Sequence, residues 1–149
     1  MTDLVIGASG LVGGHIVERL ARHQRPLALS RAARAAGHIE WRQGDLLHPE
    51  ALQLPAFDTL YCTADASLLA AALPVLLRTP FKRLVAFTST SILTKLDSEI
   101  ESERTFLQSL ERAERTIAET CERAGVAWTI LRPTIIYSEG RDRNLTSLA

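Results

Sequence analysis

The chain is predicted to be an α/β protein built on a doubly wound parallel sheet of about six strands, with helices on both faces. Three observations carry this. Strand-like and helix-like segments alternate along the 149 residues, a pattern that favours right-handed crossovers between parallel strands. An apolar run, Leu4-Val5-Ile6, empties into the glycine-rich turn Gly7-Ala8-Ser9-Gly10-Leu11-Val12-Gly13. A helical period begins directly behind that turn.

Taken in order, residues 3–6 read as the first strand, and 11–23 as a helix with Leu11, Val12, His15, Ile16 and Leu20 on one face. Residues 26–30, 39–42 and 59–62 read as the second, third and fourth strands. An Ala/Leu-rich helix follows over 66–77, closed by Arg78-Thr79-Pro80 because proline cannot continue it. The fifth strand covers 83–87. A long helix over 101–124 carries Phe106, Leu107, Leu110, Ala113, Ile117 and Cys121 at helical spacing. Gly125 ends it, where positive φ is required. Residues 126–131 read as the sixth strand. Beyond Pro133 the sequence turns polar from Ser138 to Asn144 and offers no seventh strand, so the chain reads as a piece of a longer protein.

Length suits one domain, residues 1–149, with a sizeable core. An apolar content of 46% excludes a disordered chain. Acidic and basic residues balance at 17 each, so no nucleic-acid partner held by phosphate neutralisation is expected. The interrupted apolar run from Ser67 to Leu77 is too short for a membrane span, and no leader-like segment precedes the first strand. Cys62 and Cys121 fall in elements expected to be buried and suggest neither a disulfide framework nor a metal site. His15, His23, His38 and His48 lack metal-ligand spacing. A cytoplasmic protein with no metal and no membrane partner is the expectation.

The glycine turn has a chemical reading and a plain one. Gly7 permits a tight turn, Gly10 admits a pyrophosphate close to the backbone, and Gly13 lets the following helix pack closely. Backbone N–H groups and the positive end of that helix then meet a phosphate. Glycine also marks ordinary turns, but here the turn follows a strand and opens a helix, as phosphate binding requires.

The turn, together with Gly44-Asp45-Leu46, Phe87-Thr88-Ser89-Thr90-Ser91, Glu114, Leu131-Arg132-Pro133-Thr134 and Tyr137, resembles the short-chain dehydrogenase/reductase superfamily. The likeness is to its extended or atypical epimerase/dehydratase-like branch. The pieces occur in family order and span nearly the whole chain. This resemblance implies a Rossmann-type NAD(P)-binding domain whose carboxyl-terminal substrate region is absent or truncated, and it leaves the small-molecule substrate unidentified. It also implies a homodimer surface on the long helix.

The resemblance further implies cofactor contacts from Gly7, Ala8, Ser9, Gly10, Leu11, Val12 and Gly13. Asp45 would bond the adenine amino group and Leu46 would pack on the ring, although Gly-Asp is also a common turn. Cys62, Thr63 and Ala64 would line the dinucleotide path, or simply form a loop before a helix capped by Asp65 or Ser67. Thr88 and Pro133 would also contact the cofactor. After the second strand, where an acid would select NAD, the chain has Ser30-Arg31, with Arg34 three residues on. A guanidinium suits a 2′-phosphate, so NADP is expected over NAD, unless both arginines are merely solvated.

Active members of the superfamily place Tyr and Lys one helical turn apart, the lysine lowering the pKa of the phenol. Here four residues beyond Tyr61 and Tyr137 stand Asp65 and Arg141, and the lysines are Lys82 and Lys95. Phe106 and Leu110 occupy the places of the pair and are expected in the core. Thr90 stands near the family's substrate-orienting hydroxyl and is the one catalytic candidate. Glu99, Glu101, Glu103, Glu111, Glu114 and Glu119 are expected on a solvated face, paired with Arg104, Arg112 and Arg115. An oxidoreductase or isomerase and a non-catalytic dinucleotide-binding sensor or scaffold both fit these residues.

Overall fold

The computed structural model describes residues 1–95 and 97–138; the polar stretch from 139 onward and Arg141 lie outside the described residues. Strands β1 (Asp3–Ile6), β2 (Leu27–Ser30), β3 (Glu40–Gln43), β4 (Thr59–Cys62), β5 (Arg83–Phe87) and β6 (Ala127–Leu131) form one sheet in the order β3-β2-β1-β4-β5-β6. Every pairing is parallel. The helices are α1 (Leu11–Leu20), α2 (Ala66–Leu76), α3 (Ser91–Thr94) and α4 (Glu101–Ala124).

Alternating side chains divide the sheet between two cores. Leu4, Ile6, Leu60, Cys62, Leu84 and Ala86 pack with Leu69 and Leu73 of α2 and with Leu107, Leu110, Ile117 and Cys121 of α4. On the opposite face Val5 and Ala28 pack with Ala8 and Val17, under α1. Strands β1 and β2 are buried along their whole length, as parallel strands covered on both faces should be.

The boundaries differ from the sequence reading for physical reasons. Helix α1 stops at Leu20 and runs on through turns, with Ala21 N–H on the Val17 carbonyl at 2.9 Å and Gln24 N–H on the Leu20 carbonyl at 3.0 Å. Pro26 disfavours the helical region for Arg25 and has no N–H for the sheet, so β2 opens at Leu27. The α1 residues that bury are Gly13 and Val17; Ile16 and Leu20 are half-buried, and His15, expected on the packed face, is exposed. A single 3-10 turn at Pro49–Ala51 and the four-residue α3 are too short to show a period in sequence. Helix α4 keeps its predicted span and ends on Gly125 at φ 69°.

Candidate functional site

The direction in which successive strands are added reverses between β1 and β4, because β1 leads to α1 on one face and β4 to α2 on the other. Such a switch point leaves a crevice at the carboxyl ends of the strands. The two turns that bound it interlock. Thr63 N–H donates to the Ile6 carbonyl at 2.9 Å, and its Oγ1 donates to the carbonyls of Ile6 and Gly7 at 3.3 and 3.2 Å. Gly7 takes φ 84°, and a Cβ on it would stand 2.4 Å from Thr63 Oγ1. A Cβ on Gly13 would stand 2.2 Å from the Gly7 carbonyl oxygen, so α1 is seated directly on the turn.

Gly10 is different. Its Cβ would meet the Gly7 carbonyl oxygen at 3.3 Å, a tight contact but a milder one than those at Gly7 and Gly13. It is also the N-cap of α1 and supplies no side-chain bond, which leaves first-turn N–H groups for an incoming acceptor. This cradle and its donors fit a phosphate group.

A cavity of about 280 Å³ runs from Gly7 and Ser9 past Ser30 and Arg31 to Asp45, Leu46 and Ala64. These sequence-predicted residues are thus brought together. Asp45 Oδ1 accepts from Leu47 N–H at 3.0 Å, so the local turn forms, with Asp45 on the cavity wall. Leu46 is buried, its side chain in the larger core. Cys62, expected along the path, is wholly buried in the larger core and does not line this cavity, because its side chain points to the α2 and α4 face of the sheet; burial pushes its thiol up to about 12. Burial likewise raises Cys121, to about 11, and both thiols are free and buried. Leu11 and Val12 line a neighbouring apolar cavity with Phe87 and Tyr137.

Arg34 is better anchored than Arg31. Its Nε donates to Ser30 Oγ at 3.3 Å, and its guanidinium carbon lies 4.8 Å from the Trp41 ring centroid. A second cavity of about 380 Å³ opens between Arg34, Trp41 and His15 and meets Ser9 and Gly10. Trp41 was no candidate in sequence, because nothing there shows that β3 turns its ring toward the end of β2.

At the other end, the segments leaving β5 and β6 are laced together. Thr88 N–H donates to the Leu131 carbonyl at 2.9 Å, and Thr90 N–H and Oγ1 donate to the Pro133 carbonyl at 3.1 and 3.3 Å. Thr88 Oγ1 donates to Glu114 Oε1 at 2.6 Å, and Arg132 Nε meets both Glu114 oxygens at 3.0 and 3.1 Å. Arg132 Nη2 adds a further bond to Oε2. Burial raises the Glu114 pKa, but the bonds from Arg132 and Thr88 and the Arg132 charge outweigh it, leaving the carboxyl below its ordinary value. Donating to Glu114 raises the Arg132 pKa in turn.

Two expectations are corrected. Glu114 is 6% exposed and belongs to the packed side of α4, where a charge is tolerated because Arg132 and Thr88 satisfy it. Phe106 is 53% exposed and not in the core, because the buried stripe of α4 enters at Leu107 and leaves Phe106 at its edge; Leu110 is buried as expected. Among the described residues no Glu–Arg ion pair forms within α4; Glu103 instead meets Lys95 at 3.0 Å. No metal-ligand cluster and no helix long and apolar enough to cross a membrane occur among the described residues.

Fold order, switch-point turn and uncapped helix together define a dinucleotide-binding α/β domain. Residues 7–147 match the family described as NAD(P)H-binding, and the chain belongs to that family. No curated protein matches it. Among solved structures, the wide-type short-chain dehydrogenase/reductase of Veillonella parvula DSM 2008, in complex with NADP, is 15% identical with TM-score 0.69. That alignment covers 96% of this chain and 72% of that one. UDP-glucuronic acid 4-epimerase of Bacillus cereus, in complex with NAD, is 13% identical with TM-score 0.70, covering 93% and 57%. MoeE5, in complex with UDP-glucuronic acid and NAD, is 18% identical with TM-score 0.74, covering 97% and 58%. The likeness to these structures is one of fold, and the chain spans little more than half the length of the last two.

Proposed function

We propose that the protein binds NADP in preference to NAD. The observation that carries this is the switch-point cradle: the glycine turn lines the crevice beside a helix whose N-cap supplies no side-chain bond. Ser9, Gly10, Leu11 and Val12 would receive the pyrophosphate, with the adenosine half between Arg31 and Asp45. The nicotinamide half would extend toward Thr88, Thr90 and Pro133. Arg31 and the Trp41-anchored Arg34 support the 2′-phosphate preference, since the end of β2 carries Ser30 in place of a carboxylate.

When bound, the nicotinamide supplies hydride chemistry, and this chain's residues hold and orient it. Thr90 would hold a substrate oxygen through its hydroxyl, as in an oxidoreductase or isomerase of the epimerase/dehydratase-like type. A second reading, a dinucleotide sensor or assembly module without turnover, is favoured by Phe106 and Leu110 standing where a Tyr/Lys pair would work. The same proposal includes pairing of two copies through α4 and a cytoplasmic location, where free thiols such as Cys62 and Cys121 persist; cell fractionation tests the latter.

Calorimetric titration with NADP, NADPH, NAD and NADH tests the reading. Binding is expected for the phosphorylated pair first, and Arg31→Ala should weaken NADPH far more than NADH. No heat and no melting shift with any of the four would overturn it, and equal losses would overturn the NADP preference.

A further inference from the structure

We infer that Glu114 is a positioning residue that fixes, through Thr88 and Arg132, the wall against which the nicotinamide half of the dinucleotide lies. This rests on the dinucleotide reading above. Glu114 occupies a stripe position of α4 between Leu110 and Ile117, where an apolar side chain would pack without stripping water from a charge. Its burial therefore calls for a purpose other than packing. The carboxylate is shared between two strands: Thr88 is the first residue after β5 and Arg132 the first after β6. Oε1 takes Thr88 Oγ1 at 2.6 Å and Arg132 Nε at 3.0 Å, so one oxygen ties the ends of neighbouring strands to one helix.

The tie continues into the site. One residue beyond Arg132, the Pro133 carbonyl accepts from both N–H and Oγ1 of Thr90. Thr88, Thr90 and Pro133 are thus set by a common support, while β6 pairs on one side only among the described residues. Without the carboxylate, Thr88 loses its acceptor and the fork of Arg132 loses its partner. None of these contacts reaches the adenosine cavity, which is built from β1, β2 and the ends of β3 and β4. Glu114 should therefore affect one half of the ligand and spare the other.

Calorimetry on wild type, Glu114→Gln and Thr88→Val, with NADPH and with the half-ligand 2′,5′-ADP, separates the halves. Loss of charge-assisted bonds predicts NADPH binding weakened roughly tenfold or more in Glu114→Gln, with 2′,5′-ADP unchanged within about twofold. Thr88→Val, which leaves the ion pair whole, should show the same split at smaller size; it decides the matter if Glu114→Gln fails to fold by circular dichroism. A variant that keeps full NADPH affinity, or weakens both ligands equally, overturns the positioning role alone. Wild-type protein that binds neither ligand overturns the dinucleotide reading and this inference with it.

Discussion

Gly13 and Gly14 sit side by side in α1, and their surroundings give them opposite roles. A Cβ on Gly13 would enter the Gly7 carbonyl at 2.2 Å, with backbone on the receiving side. On Gly14 it would stand 3.6 Å from the Ala8 oxygen, an ordinary contact. Gly13→Ala is therefore expected to destabilise the fold by about 1–3 kcal/mol, as overpacking does. Gly14→Ala should be neutral or raise stability by up to about 1 kcal/mol through helix propensity. Thermal melting of the two variants checks this, and equal shifts would contradict the seating of α1 on the turn. Gly13 was legible in sequence because its spacing from Gly7 and Gly10 states a backbone requirement. Arg34 was legible only as a nearby cation, since its anchor, Trp41, comes from the neighbouring strand.

Helix α4 was readable in extent but not in content. Its apolar stripe fixed both span and buried face, and Gly125 its end. Glu114 was read as solvated because it is one of many acids on the helix. Its place in the stripe was the available signal, for a carboxylate there must find a partner, and Arg132 lies 18 residues away. Phe106 was read as core because it stands one turn before Leu110, whereas the buried stripe enters at the neighbouring Leu107. On the proposed alignment with a Tyr/Lys pair, Phe106 and Leu110 supply neither a phenol nor a lysine. Purified protein is accordingly expected to oxidise NADPH with simple carbonyl compounds no faster than background; rapid steady-state turnover in a spectrophotometric assay would refute this.

At the scale of the molecule, the strand order follows from alternation and crossover handedness, and the crevice follows from the order. What lay beyond the sequence was which distant segments meet there, as the turns at Gly7 and Thr63 do. One outer surface bears on assembly. Glu111, Arg115, Ala118 and Arg132 border a groove of about 430 Å³ closed by Trp128. Pairing through this face predicts a sedimenting species of twice the chain mass, reduced to monomer by Trp128→Glu; a wild-type monomer at every concentration would exclude it.

The two rims of the sheet are also unlike in temperament. The β3 rim carries Glu40 and Arg42, whose charges discourage another strand from adding to it. The β6 rim reads Ala-Trp-Thr-Ile-Leu, uncharged and rich in strand-forming side chains, with Trp128 and Leu131 39% and 44% exposed. Among the described residues no strand covers that rim, so concentrated samples are expected to bring the rims of two copies together, and light scattering followed against concentration checks this.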